Sequence, residues 1–226
     1  MNEIKFEGKG ELKTDFSNVP KAVINRLPRY YRYLRELLAK GIARISSGDL
    51  ARMMSVTASQ IRQDLNCFGG FGQQGYGYNV EYLFGEISRI LGAKEGYTCV
   101  IIGAGNLGCA LANGSTFARR GVTPIALFDV SPAVVGTRVA GLPVYHVNTM
   151  EKFFQSHHVD IVVLTTPKPA SAEIGRRLNS LPVGAVWNFT GVELNLIPEI
   201  ILHNVHLGDS LMTLCYRLRQ VRNEND

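Results

Sequence analysis

Apolar and aromatic side chains recur every three or four residues between Pro20 and Lys40, at Val23, Leu27, Tyr30, Tyr31, Leu34, Leu37 and Leu38. That spacing predicts a helix with one apolar face. Gly41 is a natural stop for it, and Pro28, which removes a backbone hydrogen bond and crowds the preceding turn, predicts a break near Leu27. A second short helix is signalled by Ser46 as a cap, with Asp49 three residues on and Leu50, Ala51, Met53 and Met54 following. A third starts at Thr57, where Gln60 completes a Thr-x-x-Gln capping box and Ile61, Leu65 and Phe68 form the buried stripe. Asn79 to Leu91 reads as a further amphipathic helix through Val80, Leu83, Phe84, Ile87 and Ile90, and Gly92 to Gly96 as a connector between domains.

Beyond the connector the pattern changes to short apolar runs alternating with helical ones. Thr98 to Ile102 is a β-branched strand, Pro124 to Phe128 a second, Val159 to Thr165 a third and Ala185 to Phe189 a fourth. Helical spacing follows Gly103 and recurs over Met150 to His157 and Ser171 to Leu181. Strands alternating with helices imply a parallel, doubly wound sheet whose ligands sit at the carboxyl ends of the strands. Ser210 to Val221 is an extra amphipathic helix with Leu211, Met212, Leu214, Cys215, Leu218 and Val221 on its stripe. A terminal helix of this kind docks on a core or on a second subunit.

With 46% apolar and 19% charged residues in a chain of 226, an ordinary globular composition is indicated, and only the ends, 1–18 above all, are expected to be flexible. No run approaches the roughly 18 apolar residues of a spanning helix, and the first 15 residues alternate charges without a signal-peptide core. A soluble, cytoplasmic protein with no membrane partner is expected. The four cysteines lie far apart without a CxxC pair, which favours reduced thiols over a disulfide framework or a metal site. The net charge of +5 is unevenly spread: Val19 to Tyr78 holds nine Lys or Arg against three acids, and the rest of the chain is near neutral. A basic segment of this kind suits a polyanion, although a solvated basic face reads the same way.

Two short helices joined tightly, the second leaving Ser59, Arg62, Gln63 and Asn66 outward, make a helix-turn-helix whose last helix can enter a major groove. Arg pairs with guanine, and Asn or Gln with adenine. An ordinary helical pair in a core competes with this reading until the next segment is considered. Gly69 to Tyr78 (GGFGQQGYGY) contains five glycines, two glutamines and three aromatics, as a two-stranded wing along a phosphate backbone or minor groove would.

The run Gly103-Ala104-Gly105-Asn106-Leu107-Gly108 is GxGxxG between strand and helix, and Asp129 ends the next strand 26 residues after Gly103. In such a fingerprint Gly103 makes the turn, Gly105 admits the pyrophosphate, Gly108 lets the helix pack and Asp129 binds the ribose hydroxyls. An acid at that point disfavours a 2′-phosphate, so NAD(H) is preferred to NADP(H). Thr165, Thr166, Pro167, Asn188 and Phe189 lie at other strand ends and are candidate cofactor neighbours, with plain loop roles nearly as well supported.

RLPRYYRYL (Arg26 to Leu34), QIRQDL (Gln60 to Leu65), GFGQQGYGY (Gly70 to Tyr78), GAGNLG (Gly103 to Gly108), LFD (Leu127 to Asp129) and NFTGVELN (Asn188 to Asn195) together resemble the redox-sensing transcriptional repressor family Rex. The resemblance runs from about Val19 to the last helix, with motifs of both domains in order. It implies a winged-helix domain at 19–92, an NAD(H)-binding Rossmann domain at 97–208 and a dimerisation helix and tail at 209–226, the helix being exchanged within a homodimer. It further implies binding to palindromic DNA operators in the NAD⁺ or apo form and release by NADH. Candidate DNA contacts on this reading are Ser59, Gln60, Arg62, Gln63 and Asn66, with Arg29, Arg32, Arg44 and Ser46 around them and Gln73, Gln74 and Tyr76 in the wing. The chain departs from the family at Gln63, Gln73 and Gln74, where basic residues are usual, at Cys67, where an aromatic is common, and at Gly114 beside Asn113. His206 stands where many members have an acid that pairs with an arginine of the first domain, here Arg32; Asp209 is a possible substitute.

Two other readings compete. An NAD-dependent dehydrogenase would need a substrate domain and a positioned base, and the Rossmann elements use up the second half, leaving His146, His157, His158, His203 and His206 as weak candidates. A repressor could also sense another ligand, such as a coenzyme A or NADP(H) species, through the same fold.

Overall fold

The computed structural model describes residues 19–69, 71–73 and 76–223. The expected flexible segment 1–18 and the candidate contact Gln74 lie outside the described residues. The chain divides into two compact units after Lys94.

In the first unit α1 (Lys21–Ile24) and α2 (Leu27–Ala39) are separate helices, because Pro28 sits in the first turn of α2, where a missing N–H costs nothing. β1 (Arg44–Ile45) leads into α3 (Ser47–Met54), and the Ser46 hydroxyl accepts from the Asp49 amide at 3.0 Å as the sequence predicts. Ser55, left-handed at φ 51°, turns the chain into α4 (Ala58–Asn66), whose cap is Thr57 Oγ1 accepting from the Gln60 amide at 3.1 Å. Only half of the predicted capping box forms. The Gln60 side chain donates forward to Asp64 Oδ1 at 2.7 Å, a charged acceptor one turn on, in place of reaching back to Thr57.

β2 (Gly72–Gln73) and β3 (Gly77–Asn79) form the hairpin of a three-stranded antiparallel sheet with β3 between β1 and β2. Asn79 then caps α5 (Val80–Ile90) by accepting from the Tyr82 amide at 2.8 Å. Leu27, Tyr30, Leu34, Leu50, Met54, Ile61, Leu65, Phe68, Leu83 and Ile87 are fully buried in one core. This is a winged helix: a helical triad with a small sheet.

The second unit is built on β4 (Tyr97–Ile102), α6 (Asn106–Asn113), β5 (Val122–Asp129), β6 (Arg138–Val139), β7 (Leu142–His146), α7 (Met150–Ser156), β8 (Ile161–Leu164), α8 (Lys168–Leu178), β9 (Ala185–Asn188) and β10 (Ile201–Asn204). The sheet order is β10-β9-β8-β4-β5-β7-β6, with every pair parallel except β6 with β7. β6, β7 and β10 add to the strands read from the sequence. Successive residues of β4 point to opposite faces. Val100 and Ile102 join Phe128, Phe153 and Leu178 in one core, while Cys99 and Ile101 join Ala112, Phe117 and Leu127 in the other. Helices on both faces make the doubly wound arrangement. α9 (Leu207–Asn223) extends the predicted final helix at both ends, and every one of its residues is exposed. No helix among the described residues is long and apolar enough to cross a membrane.

Candidate functional site

Chain connections leave β4 and β8 in opposite directions across the sheet, so a crevice opens at their carboxyl ends. Gly103 follows β4 with φ +107°, and a Cβ there would lie 2.8 Å from the Thr165 carbonyl carbon. On Gly108 a Cβ would fall 1.9 Å from Gly103 O, so α6 packs against the turn only because both residues lack a side chain. The Thr165 hydroxyl donates across the gap to Gly103 O at 2.9 Å and thereby pins the loop after β8 to the loop after β4.

Gly105 differs from both. It caps α6 with no side-chain hydrogen bond, and a Cβ on it would meet nothing within 4 Å. The first N–H groups of α6 thus lack a side-chain cap at a helix end that favours anions, beside space for a phosphate to approach the backbone. Asp129, at the end of β5, accepts from the Ala104 amide at 2.6 Å through Oδ2 and from the Ser131 amide at 2.8 Å through Oδ1. Its oxygens keep lone pairs for two further donors. An anion-accepting helix terminus with an acceptor carboxylate held beside it fits a dinucleotide with free ribose hydroxyls.

The remaining strand-end candidates are tied to their own loops. Thr166 Oγ1 lies 3.2 Å from Ser171 Oγ, and Pro167 caps α8 while its carbonyl accepts from Ser171. Asn188 is buried: its amide nitrogen donates to Val192 O and Asn204 Oδ1, both at 2.8 Å, and its oxygen accepts from Thr190. Phe189 packs edge-on against Trp187, with ring centres 4.6 Å apart.

On the first unit Ser59, Arg62, Gln63 and Asn66 are all exposed on α4. The Arg62 guanidinium reaches Ser47 Oγ at 3.2 Å, at the start of α3. Arg44 donates to Tyr76 O at 3.4 Å, which sets a cation at the root of the wing, and the Tyr76 ring is 70% exposed. Ser46 is exposed but occupied as a helix cap, and Arg29 donates to the Met54 carbonyl at the end of α3. Arg32 is exposed, its guanidinium 5.1 Å from the centre of the Tyr33 ring.

The first unit matches the family model described as a putative DNA-binding protein N-terminus over residues 18–66, and the second matches the CoA binding domain model over 94–192. The redox-sensing transcriptional repressor Rex of Caldanaerobacter subterraneus subsp. tengcongensis is 48% identical, the match covering 89% of this chain and 90% of the relative. The chain belongs to the Rex family. Another Rex repressor, from Clostridioides difficile, is 46% identical, with 90% of this chain and 97% of the relative covered. Among solved structures, RSP in complex with β-NAD⁺ and operator DNA matches with a TM-score of 0.84 and 47% identity, covering 92% of this chain and 95% of that one. RSP in complex with β-NADH matches with a TM-score of 0.84 and 44% identity, covering 92% and 98%.

Two groups of polar contacts stand out whose pairings are not read from the sequence. Asp64 is fully buried in α4 and takes hydrogen bonds from Arg26, Tyr30 and Gln60. Burial alone would push its carboxyl up; the Arg26, Gln60 and Tyr30 hydrogen bonds outweigh that and hold it below the usual carboxylate range. The same burial, with Asp64 alongside, pushes the Tyr30 phenol far up. A signal existed in the sequence: Asp64 is flanked by Ile61, Leu65 and Phe68 at helical spacing, so it falls on the buried stripe. In the second group Glu193 accepts from Asn204 Nδ2 at 3.0 Å and faces His206 Nε2 at 3.7 Å. His206, where the resemblance expects an acid, thus has an acid of its own unit beside it. Asp209 donates its backbone amide to His206 O.

Proposed function

We propose that this chain is a homodimeric repressor that binds palindromic operator DNA in its NAD⁺ or apo form and leaves it when NADH binds. The observation that carries the reading is the presence of two complete binding modules in one short chain: a winged helix with an outward polar face on α4, and an α6 terminus open at Gly105 with Asp129 beside it. RSP, a relative of known structure, has been crystallised with NAD⁺ and operator DNA and with NADH. Arg62, Gln63, Asn66 and Ser59 meet base edges, with Arg44 and the wing on phosphates and Arg29, Arg32 and Ser46 supporting them. Gly103 to Gly108 cradle the pyrophosphate, Asp129 takes the ribose hydroxyls, and the loops at Thr165 to Pro167 and at Asn188 and Phe189 flank the nicotinamide end. When bound, the nicotinamide supplies the oxidation state that is read; this chain's residues bind and orient it.

α9 is the element that pairs two copies, since its apolar stripe is exposed along its whole length. A dimer puts two recognition helices roughly 34 to 36 Å or a multiple apart, which makes the operator an inverted repeat. Sensing is preferred to catalysis. His158 is engaged by Asp160 at 2.8 Å, His157 stacks on Phe153 with ring centres 4.0 Å apart, and His146 accepts from the Asn148 amide at 3.2 Å. The match to a CoA binding domain model favours a second reading, a repressor sensing another adenine nucleotide.

The test is fluorescence-anisotropy binding of a labelled inverted-repeat duplex, with no nucleotide and with NAD⁺, NADH, NADPH or coenzyme A. Loss of binding with NADH alone is expected. Binding that ignores NADH and responds to coenzyme A or NADPH would favour the second reading.

A further inference from the structure

Among the described residues of the first unit Asp64 is the buried charge, its side chain wholly inaccessible, while the partner Arg26 is a quarter exposed. Arg26 Nη2 donates to Oδ1 and its Nε to Oδ2, each at 2.7 Å; Gln60 Nε2 adds a bond to Oδ1 at 2.7 Å and the Tyr30 hydroxyl one to Oδ2 at 2.9 Å. Each carboxylate oxygen therefore accepts twice, which fills the acceptor sites of the group. Arg26 precedes α2, Tyr30 lies in its first turns, and Gln60 and Asp64 belong to α4. The network is a polar bolt between the helix that anchors the domain and the helix that carries the candidate base contacts.

We infer that Asp64, Arg26, Tyr30 and Gln60 are positioning residues for operator recognition, which fix the roll of α4 without touching DNA. The inference rests on the DNA-binding reading above. Ile61 and Leu65 hold α4 to the core, but apolar contacts are non-directional and tolerate a small rotation, whereas a forked arginine-carboxylate pair has one geometry. Arg62, Gln63 and Asn66 flank Asp64 in sequence, so any roll of α4 moves them all together. For a side-chain end about 6 Å from the helix axis, a roll of about 10° is a shift of about 1 Å. That is enough to spoil bidentate base contacts, whose hydrogen bonds tolerate only a few tenths of an ångström. A buried ion pair is weak support for stability and better suited to holding one arrangement among several. Gln60, with its amide nitrogen engaged by Asp64, belongs to the bolt and reads no base.

The experiment uses the full chain and an inverted-repeat duplex selected by the wild type from a randomised pool, with a scrambled duplex of equal length as the non-specific competitor. Tyr30→Phe removes one hydroxyl and no ring; Gln60→Ala and Asp64→Asn remove more. All are assayed well below their unfolding temperatures. The expected result is a fall in the selected-to-scrambled affinity ratio of about five-fold for Tyr30→Phe and Gln60→Ala and more for Asp64→Asn. The loss should be spread over all contacted base pairs, with the salt dependence of scrambled binding unchanged. Lower thermal stability with an unchanged ratio would overturn the inference, as would relaxation at a single base pair in Gln60→Ala. Should the wild type select no duplex, the DNA-binding reading falls and this inference with it. Should it discriminate while Tyr30→Phe, folded as shown by circular dichroism, discriminates equally well, only the inference falls.

Discussion

Gly105→Ala separates folding from nucleotide binding more cleanly than any other substitution in the glycine loop. Gly105 has φ −76° and ψ −170°, which alanine adopts without strain, and its Cβ would project into open space. Stability should therefore hold or rise by about 0.4–1 kcal/mol, because alanine restricts the unfolded chain. The methyl group occupies the space through which a diphosphate must reach the N–H groups of α6. Losing one charge-assisted hydrogen bond there costs about 1.5–3 kcal/mol, which weakens NADH by roughly ten- to 150-fold. Gly108→Ala is the contrast: its Cβ would sit 1.9 Å from Gly103 O, so the loop must move and the fold itself should lose about 1–3 kcal/mol. Thermal unfolding and titration of NADH fluorescence on both variants distinguish the cases. Gly105→Ala protein that binds NADH like the wild type at unchanged stability would refute the placement of the pyrophosphate on α6.

Further expectations follow from other parts of the chain. Asp129→Ser should raise NADPH affinity relative to NADH by about ten-fold, since a carboxylate repels a 2′-phosphate and a serine does not; competition titration with the two nucleotides reads the ratio. Because hydrogen bonds in the folded state hold Asp64 below its unfolded value of about 4, its contribution is complete above that value and drains away as pH falls through the lower folded one. Urea unfolding at pH 7 and below pH 4 should show wild type losing more stability on acidification than Asp64→Asn, and parallel losses would contradict the assignment. Leu214→Asp with Leu218→Asp on α9 should give monomers by sedimentation and weaken binding to a two-half-site duplex far more than to a half-site.

Much of this architecture is legible because single residues leave only one local option. Pro28 breaks the first helix where the pattern says it must, and Gly103, Gly108 and Asp129 fall into the turn, the close approach and the strand end that their spacing requires. The strands β6, β7 and β10 were not legible. Pro143 and the polar residues of Leu142–His146 and Ile201–Asn204 mask short strands toward the sheet edges, where neighbours decide the pairing. The capping-box spacing predicts a Gln60 side chain that reaches back to Thr57, and a buried carboxylate four residues on redirects it. Asn188 reads as a strand-end ligand candidate, yet its hydrogen bonds close on Val192, Asn204 and Thr190 because a buried amide must be satisfied where it lies.

The coupling of the two modules is the central claim, and reciprocity tests it most directly. By linkage, if NADH weakens operator binding by some factor, saturating operator must weaken NADH binding by the same factor. Titrating NADH against the chain alone and against the chain saturated with its selected duplex should give affinities differing by the factor by which NADH lowers duplex affinity. Equal NADH affinities in the two titrations would contradict the account, even if both ligands bind.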